Sequence, residues 1–245
     1  MAGALNVASA QPGQIITDGL QLWLEPDLYT SYPGSGTSCY DLSPNRYTTT
    51  LQRSVGYSTA RAASFTFDGA TNNKYIDVGQ YLSYNTFTLS SWFKSSATTT
   101  YQMLFSKETT VGQPWNYRLW LEITTGKLRA DTANGVSSEN LVTSANYCDG
   151  TWHNAVFVRD VAGGNLYLYA DGVQISTTAT TLASVTNNQN VWIGLSSFTA
   201  GGTNPNGSYP VNGNIGQSLI YNVALSATQV KQNFNAMREI GRAHV

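Results

Sequence analysis

The stretch from Gly150 to Ile175 constrains the fold of this chain more than any other part of the sequence. It is typical of three short strands joined by two tight turns. In the first predicted strand, Trp152, Val156 and Val158 share one face, and His153, Phe157 and Arg159 share the other, because successive side chains point to opposite faces of a sheet. Asp171 and Gly172 tolerate the positive φ angles that a type I′ hairpin turn requires. The stretch therefore predicts an antiparallel meander and, with it, a sheet-based fold.

Five further motifs occur along the chain in a definite order. They are Gly19–Glu25, Ser35–Asn45, Ser64–Gly69, Phe87–Lys94 and Asn212–Ser226. Together with the hairpin, they resemble the strands and loops of laminin-G-like, concanavalin-A-like jelly rolls. In the second motif, Cys39 and Pro44 stand where that family usually has Trp and Gly. The resemblance covers most of the chain, and it implies an all-β, two-sheet antiparallel jelly-roll sandwich with one short C-terminal helix. It favours a binding module over an enzyme, although one fold serves many functions.

Composition agrees with this fold and excludes some partners. The 245 residues suit one large all-β domain. Charged residues make up only 11% of the chain and the net charge is −1, so no basic cluster is present to bind nucleic acid. No apolar run approaches the roughly 20 residues of a membrane helix, and no membrane insertion is predicted.

Cys39 and Cys148 lie in predicted loops, and the sequence leaves open whether they form a disulfide.

The two ends of the chain are expected to differ from its body. We expect residues 1–14 to be a flexible lead, 15–239 to be the jelly-roll domain and 240–245 to be a non-native tail. The last six residues resemble the translation of a common sequencing adapter. The lead has no basic start and no long apolar core, so it does not resemble a signal peptide. We therefore expect a virion or extracellular surface location that is reached by another route.

One helix is predicted after Ser226, and two core tryptophans are predicted on the strand motifs. Ser226 is a good helix N-cap. Three apolar residues follow it at helical spacing and form a stripe that can pack on a sheet: Val230, Phe234 and Met237. Trp92 and Trp152 each lie on a strand whose alternate neighbours are apolar or small. We therefore expect both tryptophans in the core.

The sequence offers little for catalysis. His153 lies mid-strand in a structural motif of the family, so a structural role is favoured over that of a general base. Glycoside hydrolysis needs two carboxylates roughly 5–10 Å apart, and glucanase relatives carry them as E-x-D-x-x-E, which is missing here. Glu122 has no acidic partner close by in sequence. Glu25 and Asp27 have suitable spacing, but Pro26 between them marks a strand end. The sequence therefore predicts no enzyme.

No cofactor is predicted, and one metal alternative stays open. The two histidines are too few for a zinc site. Pentraxin-like relatives have an acidic run after the strand that is Val191–Leu195 here, whereas this chain has Ser196–Phe198. That departure speaks against a pentraxin-type calcium site. A structural calcium ion at Asp68 with Asn72 and Asn73 is the alternative, and hydrogen bonds from Asp68 to its own turn are favoured over it.

Surface recognition remains as a function, and two segments suit it. Residues 199–212 form a long Asn- and Gly-rich loop, and Val111–Tyr117 places an aromatic ring beside a carboxamide. Aromatic rings stack on the C–H faces of sugars, and amides bridge their hydroxyls. Both segments should lie on a rim of the sandwich, where loops carry function. The predicted ligand-binding residues are Trp115, Asn116, Tyr117, Asn204, Asn206 and Tyr209. The alternative is that Trp115 and Tyr209 pack beneath their loops.

The sequence thus predicts a non-catalytic recognition module that binds glycans or a surface polysaccharide for adhesion. Its Gln232–Ala236 helix segment resembles those of virion and environmental surface proteins, so other virion or surface protein domains are further expected partners. A structural or protein–protein assembly (decoration) module without sugar affinity is the alternative from another class. A glycosidase is a weaker alternative.

Overall fold

The computed structural model describes residues 14–60, 62–69, 73–108, 114–196 and 209–242. Within these ranges the chain forms sixteen strands and one helix. The elements are β1 (Leu20–Leu24), β2 (Ser38–Tyr40), β3 (Thr48–Gln52), β4 (Gly56–Ser58), β5 (Ser64–Asp68), β6 (Tyr75–Gly79), β7 (Phe87–Ser95), β8 (Gln102–Lys107), β9 (Pro114–Leu121), β10 (Lys127–Asn134), β11 (Ser138–Asn146), β12 (Trp152–Asp160), β13 (Asn165–Ala170), β14 (Val173–Ala179), β15 (Val191–Ile193), β16 (Asn212–Tyr221) and α1 (Ala227–Arg242).

The strands build two antiparallel sheets of eight strands each. Sheet A has the order β14-β13-β12-β7-β16-β5-β4, and β1 also pairs with β16. Sheet B has the order β11-β10-β9-β8-β15-β6-β3-β2. Neighbours in each sheet are often distant in sequence, as they are when a chain crosses repeatedly between two layers. The predicted all-β, two-sheet sandwich with one helix near its end is confirmed.

The hairpin that led the sequence analysis forms as predicted. Strands β12, β13 and β14 follow one another at the edge of sheet A, and Ala155 lies opposite Ala170 in the register of β12 and β13. Asp171 and Gly172 have φ angles of 53° and 75°, the positive values that a type I′ turn needs at both central positions. The turn therefore fixes the register of this edge of the sheet.

The main core lies between the two sheets. Sheet A contributes apolar side chains at alternate positions of its central strands, and sheet B supplies the facing set. Fully buried members include Phe87, Leu89, Phe93, Phe157, Phe105, Leu119 and Leu121. A second apolar cluster lies on the other face of sheet A, where Val156, Val158 and Leu219 pack with Ile16 and Val230. The N-terminal segment and α1 thus form a third layer over sheet A.

A capping box starts the helix of this third layer. The backbone N–H of Gln229 donates to the Ser226 hydroxyl at 3.3 Å, and the Ser226 N–H donates to the Gln229 side-chain oxygen at 2.9 Å. The predicted N-cap is thereby confirmed. The helix continues through Arg242, so the predicted domain end at residue 239 lies inside it. The assignment of 240–245 to a non-native tail stays a prediction.

The expectation that Trp92 and Trp152 lie in the core is wrong. Both rings are half-buried on the outer face of sheet A. Side chains alternate along the strand, so Phe93, the neighbour of Trp92, points inward. The indole of Trp92 points outward and stacks on Phe234 of α1 with ring centroids 5.4 Å apart. The alternation was read correctly, but sheet A buries apolar residues on both faces, so periodicity could not tell which face meets sheet B.

Both cysteines are free and buried. Cys39 lies in β2 rather than in a loop. Burial raises the pKa of the Cys39 thiol to about 11, which keeps it protonated and unreactive.

At the calcium candidate, Asp68 forms an ion pair with Lys74 at 3.2 Å, and Asn72 lies outside the described residues. The helix found here is neither long nor apolar enough to cross a membrane, and no other helix occurs in the described ranges.

Asp41 fastens the loop after β2 to strand β1. Its buried carboxylate accepts hydrogen bonds from the backbone N–H groups of Trp23, Ser43 and Tyr47, at 2.8, 2.8 and 3.2 Å. The Ser43 hydroxyl donates a fourth bond at 2.6 Å. The D-L-S motif is thus a packing device, because one carboxylate satisfies donors that would otherwise be buried without a partner.

We expect Asp41→Ala to lower the free energy of unfolding by about 2–4 kcal/mol, because it leaves several buried N–H groups unpaired. Chemical denaturation measures the change. Asp18, which is exposed, provides the matched control, and Asp18→Ala should stay within about 0.5 kcal/mol of the wild type. Equal effects of the two substitutions would contradict the role assigned to Asp41.

His153 joins two turns at one end of sheet A. Its Nδ1 lies 2.8 Å from an Asp171 carboxylate oxygen, and its Nε2 lies 3.2 Å from an oxygen of Asp149. The hydrogen bond to Asp171 is the main effect that raises the His153 pKa, and Asp149 adds to it. The contacts support the structural role that the sequence analysis favoured.

The His153 contacts should stabilise the fold most at low pH. Because the folded pKa lies above the unfolded value, the stabilisation is fully present below about pH 6.5 and is lost as the pH rises through the folded pKa. We expect the stability difference between wild type and His153→Gln to be larger at pH 5.5 than at pH 8.5, by about 1 kcal/mol, since solvent screens the half-exposed carboxylates. A difference independent of pH would show that the charge on His153 is immaterial.

Candidate functional site

Strand β9 carries polar and aromatic side chains on the face of sheet B that points away from the core. Its residues Tyr117, Leu119 and Leu121 belong to the cluster between the sheets. Because side chains alternate along a strand, Arg118 and Trp120 lie on the outer face of sheet B. A register shift opposite β10 occurs between Arg118 and Trp115. Such a bulge re-aims side chains.

Four aromatic rings and one guanidinium group contact one another in a row on this outer face. The Arg118 guanidinium lies 4.4 Å from the centre of the Trp115 ring and 5.9 Å from that of Trp120. The Tyr101 ring packs edge-on against Trp120 at 5.2 Å and against Tyr209 at 5.0 Å. We call Tyr101, Trp115, Arg118, Trp120 and Tyr209 the aromatic face. Segments that are far apart in sequence meet in it.

Two buried carboxylates hold the centre of the aromatic face. Arg118 forms ion pairs with Asp131 at 2.5 Å and with Glu108 at 3.5 Å. Asp131 also accepts a hydrogen bond from the Trp120 indole N–H at 2.9 Å. Asp131 and Glu108 are only 3% and 1% exposed, so their charges depend on Arg118 for compensation. These ion pairs and this hydrogen bond fix Arg118 and Trp120, and both side chains stay partly exposed.

Glu108 has an unusual environment for a carboxyl group. Burial raises its pKa, and the Arg118 charge and the hydroxyls of Ser196 and Ser106 oppose that rise. The Ser106 hydroxyl donates to Glu108 Oε1 at 3.2 Å. These bonds engage the carboxyl group within the protein. Its visible role is therefore to position Arg118.

A second ion pair borders the aromatic face. Arg129 lies over the Trp120 ring at 5.0 Å and pairs with Glu122 at 2.9 Å. Hydrogen bonds from Thr125 and then Arg129 lower the pKa of Glu122. Each guanidinium of this region is thus matched by a carboxylate, and the surface presents rings and paired charges rather than a cationic patch.

The structure separates the six predicted ligand residues into three groups. Trp115 and Tyr209 lie on the aromatic face. Asn116 and Tyr117 are 0% exposed, where Asn116 bonds to the backbone of Tyr84 and the Tyr117 hydroxyl donates to the Leu82 carbonyl. Their observed contacts hold the fold together. The last group comprises Asn204 and Asn206, which lie outside the described residues.

Sequence reasoning missed most of the aromatic face. Tyr101, Arg118 and Trp120 were not selected, although strict alternation in β9 places Arg118 and Trp120 on one side. The carboxylates of Glu108 and Asp131 were missed because Glu108 follows β8 while Asp131 lies in β10, and the two meet only through Arg118. Among the described residues, no group of three or more His, Cys, Asp or Glu side chains could hold a metal ion.

Tyr209 combines exposure with an unusual backbone. Its φ is 66°, in the left-handed region that side chains other than Gly rarely adopt, and it is 36% exposed. Its carbonyl accepts a hydrogen bond from the N–H of Met103 at 3.0 Å, which ties it to the start of β8. Strained and exposed residues of this kind cluster at functional sites.

The sequence profile of the concanavalin A-like lectin/glucanases superfamily matches residues 65–231, about two thirds of the chain. The chain belongs to this superfamily. The match confirms the resemblance seen in the strand motifs. The superfamily's name covers both lectins and glucanases, so membership fixes the fold and leaves the choice between binding and catalysis to the site. No curated protein sequence gives a significant match.

Solved structures of toxin binding domains share the fold. The binding domain of Paraclostridial Mosquitocidal Protein 1 superposes with a TM-score of 0.69 at 17% identity, covering 90% of this chain and 53% of that one. The botulinum neurotoxin DC binding domain in complex with SialylT gives 0.68 at 13% identity, with 91% and 52% covered. Botulinum neurotoxin type C, whose cell entry depends on interaction with two ganglioside molecules, gives 0.67 at 13% identity, with 90% and 52% covered. This superfamily member thus spans about half of each toxin chain.

Substitution of Arg118 tests whether its ion pairs with Glu108 and Asp131 stabilise the fold. We expect Arg118→Met to lower the free energy of unfolding by about 3–5 kcal/mol at pH 8, because it leaves two buried carboxylates without a cation. Burial raises the pKa of Glu108 and the Arg118 charge opposes that rise, so without Arg118 this carboxyl group protonates more readily and the loss should shrink as the pH falls toward 5.

Arg129→Met is the matched control for Arg118→Met. It breaks a half-exposed pair with Glu122 and should cost less than about 1 kcal/mol. Urea denaturation of both variants at pH 5 and pH 8 makes the comparison. Similar, pH-independent losses in the two variants would show that Arg118 does not compensate the buried charges.

Proposed function

We propose that this domain is a non-catalytic recognition module that binds glycans on the aromatic face. The single observation that carries the proposal is the unbroken row of Trp115, Arg118, Trp120, Tyr101 and Tyr209 on the outer face of sheet B. Partly exposed aromatic rings in one row can stack on successive sugar rings through their C–H faces. Rigid aromatic side chains give such contact area at a low cost in side-chain entropy.

The site is organised before a ligand arrives. Trp120 is anchored through its N–H to Asp131, and Arg118 is fixed by two carboxylates. A ligand therefore does not have to order these side chains, and less free energy is lost on binding. The remaining N–H groups of Arg118 can donate to sugar hydroxyls, which are good acceptors for guanidinium donors.

The charge balance favours neutral parts of glycans. Arg118 and Arg129 are both paired with carboxylates, so the aromatic face offers stacking and hydrogen bonds rather than attraction for an anion. Binding should therefore depend weakly on salt, since screening weakens the interactions of unpaired surface charges most. The toxin structures support glycans as the ligand class, because two of them involve gangliosides or SialylT.

Binding is favoured over hydrolysis by the state of the carboxylates. A glycosidase needs two carboxyl groups that reach the scissile bond from opposite sides. Glu108 and Asp131 are almost fully buried and engaged by Arg118. The similar structures are named as binding domains, although glucanases share the superfamily. We place such a module on a virion or extracellular surface, where adhesion gains from many copies.

We expect single-site affinity for an oligosaccharide in the range of about 0.1–1 mM, or roughly −4 to −5.5 kcal/mol. A glycan array selects the sugar, and calorimetric titration then compares wild type with Trp115→Ala, Trp120→Ala and Tyr209→Ala. Each should weaken binding roughly tenfold or more, because each removes a stacking ring. Tyr29→Ala is the matched control, since Tyr29 is 79% exposed and takes no part in the ring and guanidinium contacts that define the aromatic face.

Four results would contradict the proposal. Binding that survives all three ring substitutions would move the site elsewhere. Loss of binding on addition of a chelator would restore a calcium mechanism. A folded domain that binds no glycan would favour the assembly module, and release of reducing sugar would favour the glycosidase.

A further inference from the structure

A pocket of about 410 Å³ lies on the opposite side of the sandwich from the aromatic face. It opens at the edge of the third layer, between the N-terminal segment, the end of β1 and α1. Its walls are mainly apolar and come from Ile15, Trp23, Leu28, Ala236 and Met237. A pocket of this volume and character accepts a small ligand.

One carboxyl group in this pocket is buried. Glu25 is 5% exposed and accepts a hydrogen bond from the Gln217 side-chain nitrogen at 2.8 Å. Asp27 lines the same pocket and accepts a bond from the N–H of Ala63 at 3.1 Å. The structure thus brings both acidic residues to one site just beyond the end of β1 at Leu24, close to the strand end that Pro26 indicated.

Among the residues whose side chains the structure describes, no Lys, Arg or His forms an ion pair with Glu25. Burial is the main cause that raises its pKa to about 7, and the nearby charge of Asp27 adds to the rise. Ionisation of Glu25 is therefore costly in these apolar surroundings, and a positive charge placed beside it would offset that cost.

We propose that the pocket is a second binding site, which takes an alkylammonium group. The ammonium pairs with the Glu25 carboxylate, and the Trp23 indole that lines the same pocket can attract the cation as well. The apolar stem of the ligand packs on Ile15, Leu28 and Met237. A lysine side chain of a partner protein or a free amine has this chemistry.

Other ligand classes fit this pocket less well. An anion would meet the charges of Glu25 and Asp27. A sugar needs many hydrogen-bond partners, and the lining of the pocket is mainly apolar. A neutral alkyl ligand would fill the walls but would leave the buried carboxyl group without compensation. The proposal is independent of glycan binding, because it rests on the other side of the fold.

The test uses the whole chain and two probes that differ only in the polar group, n-butylammonium and 1-butanol. Calorimetric titration at pH 8 should give a dissociation constant at least tenfold lower for n-butylammonium. Glu25→Gln keeps the acceptor for Gln217 and removes the charge, so it should abolish the tenfold preference. Glu122→Gln, which removes a carboxylate on the opposite side of the sandwich, is the matched control and should retain it.

A second measurement keeps the test decisive if Glu25→Gln folds poorly. Because burial raises the Glu25 pKa to about 7, part of the Glu25 carboxyl groups in the free protein carry a proton near pH 7. Ammonium binding should then release protons from the wild type, which titration in buffers of different ionisation enthalpy detects. Equal affinity for both probes, no binding of either, unchanged preference in Glu25→Gln or binding without proton release would each overturn the proposal.

Discussion

The aromatic face depends on one ion cluster, in which Glu108 and Asp131 hold Arg118 on the outer face of sheet B. Two buried carboxylates would destabilise a sheet surface unless a cation compensated them. Arg118 provides that compensation, and in doing so it lies against Trp115 and near Trp120. The same ion cluster therefore compensates the buried charges and sets the geometry of the candidate site. A change that breaks the cluster should affect stability and recognition together.

The third layer explains why the two outer faces of the sandwich differ. The N-terminal segment and α1 cover sheet A with apolar contacts such as Val230 on Val156 and Val158. Sheet B carries its own outward side chains, and they are rings and paired charges. A two-sheet sandwich has two surfaces available for ligands, and here the helix uses one of them. The pocket at Glu25 lies at the edge of this cover, where the helix and the N-terminal segment leave a gap.

Membership in the superfamily constrains the scaffold more than the chemistry. The toxin domains have the same fold at 13–17% identity, so few of their side chains recur here. Recognition must then be argued from the residues that this chain places on its faces. The aromatic face fits stacking on sugars, and the buried state of Glu108 and Asp131 speaks against a direct role in hydrolysis.

The sequence by itself determined the strands, the I′ turn at Asp171 and Gly172, and the capping box at Ser226, because each depends on local periodicity or local hydrogen bonds. It also found Trp115 and Tyr209, which the structure links through Arg118, Trp120 and Tyr101. Only the tertiary structure decided that Trp92 faces α1, that Asn116 is buried, and that Glu108 meets Asp131 at Arg118. A period of two assigns side chains to one of two faces, but which face meets the other sheet, a helix or solvent depends on contacts between distant strands.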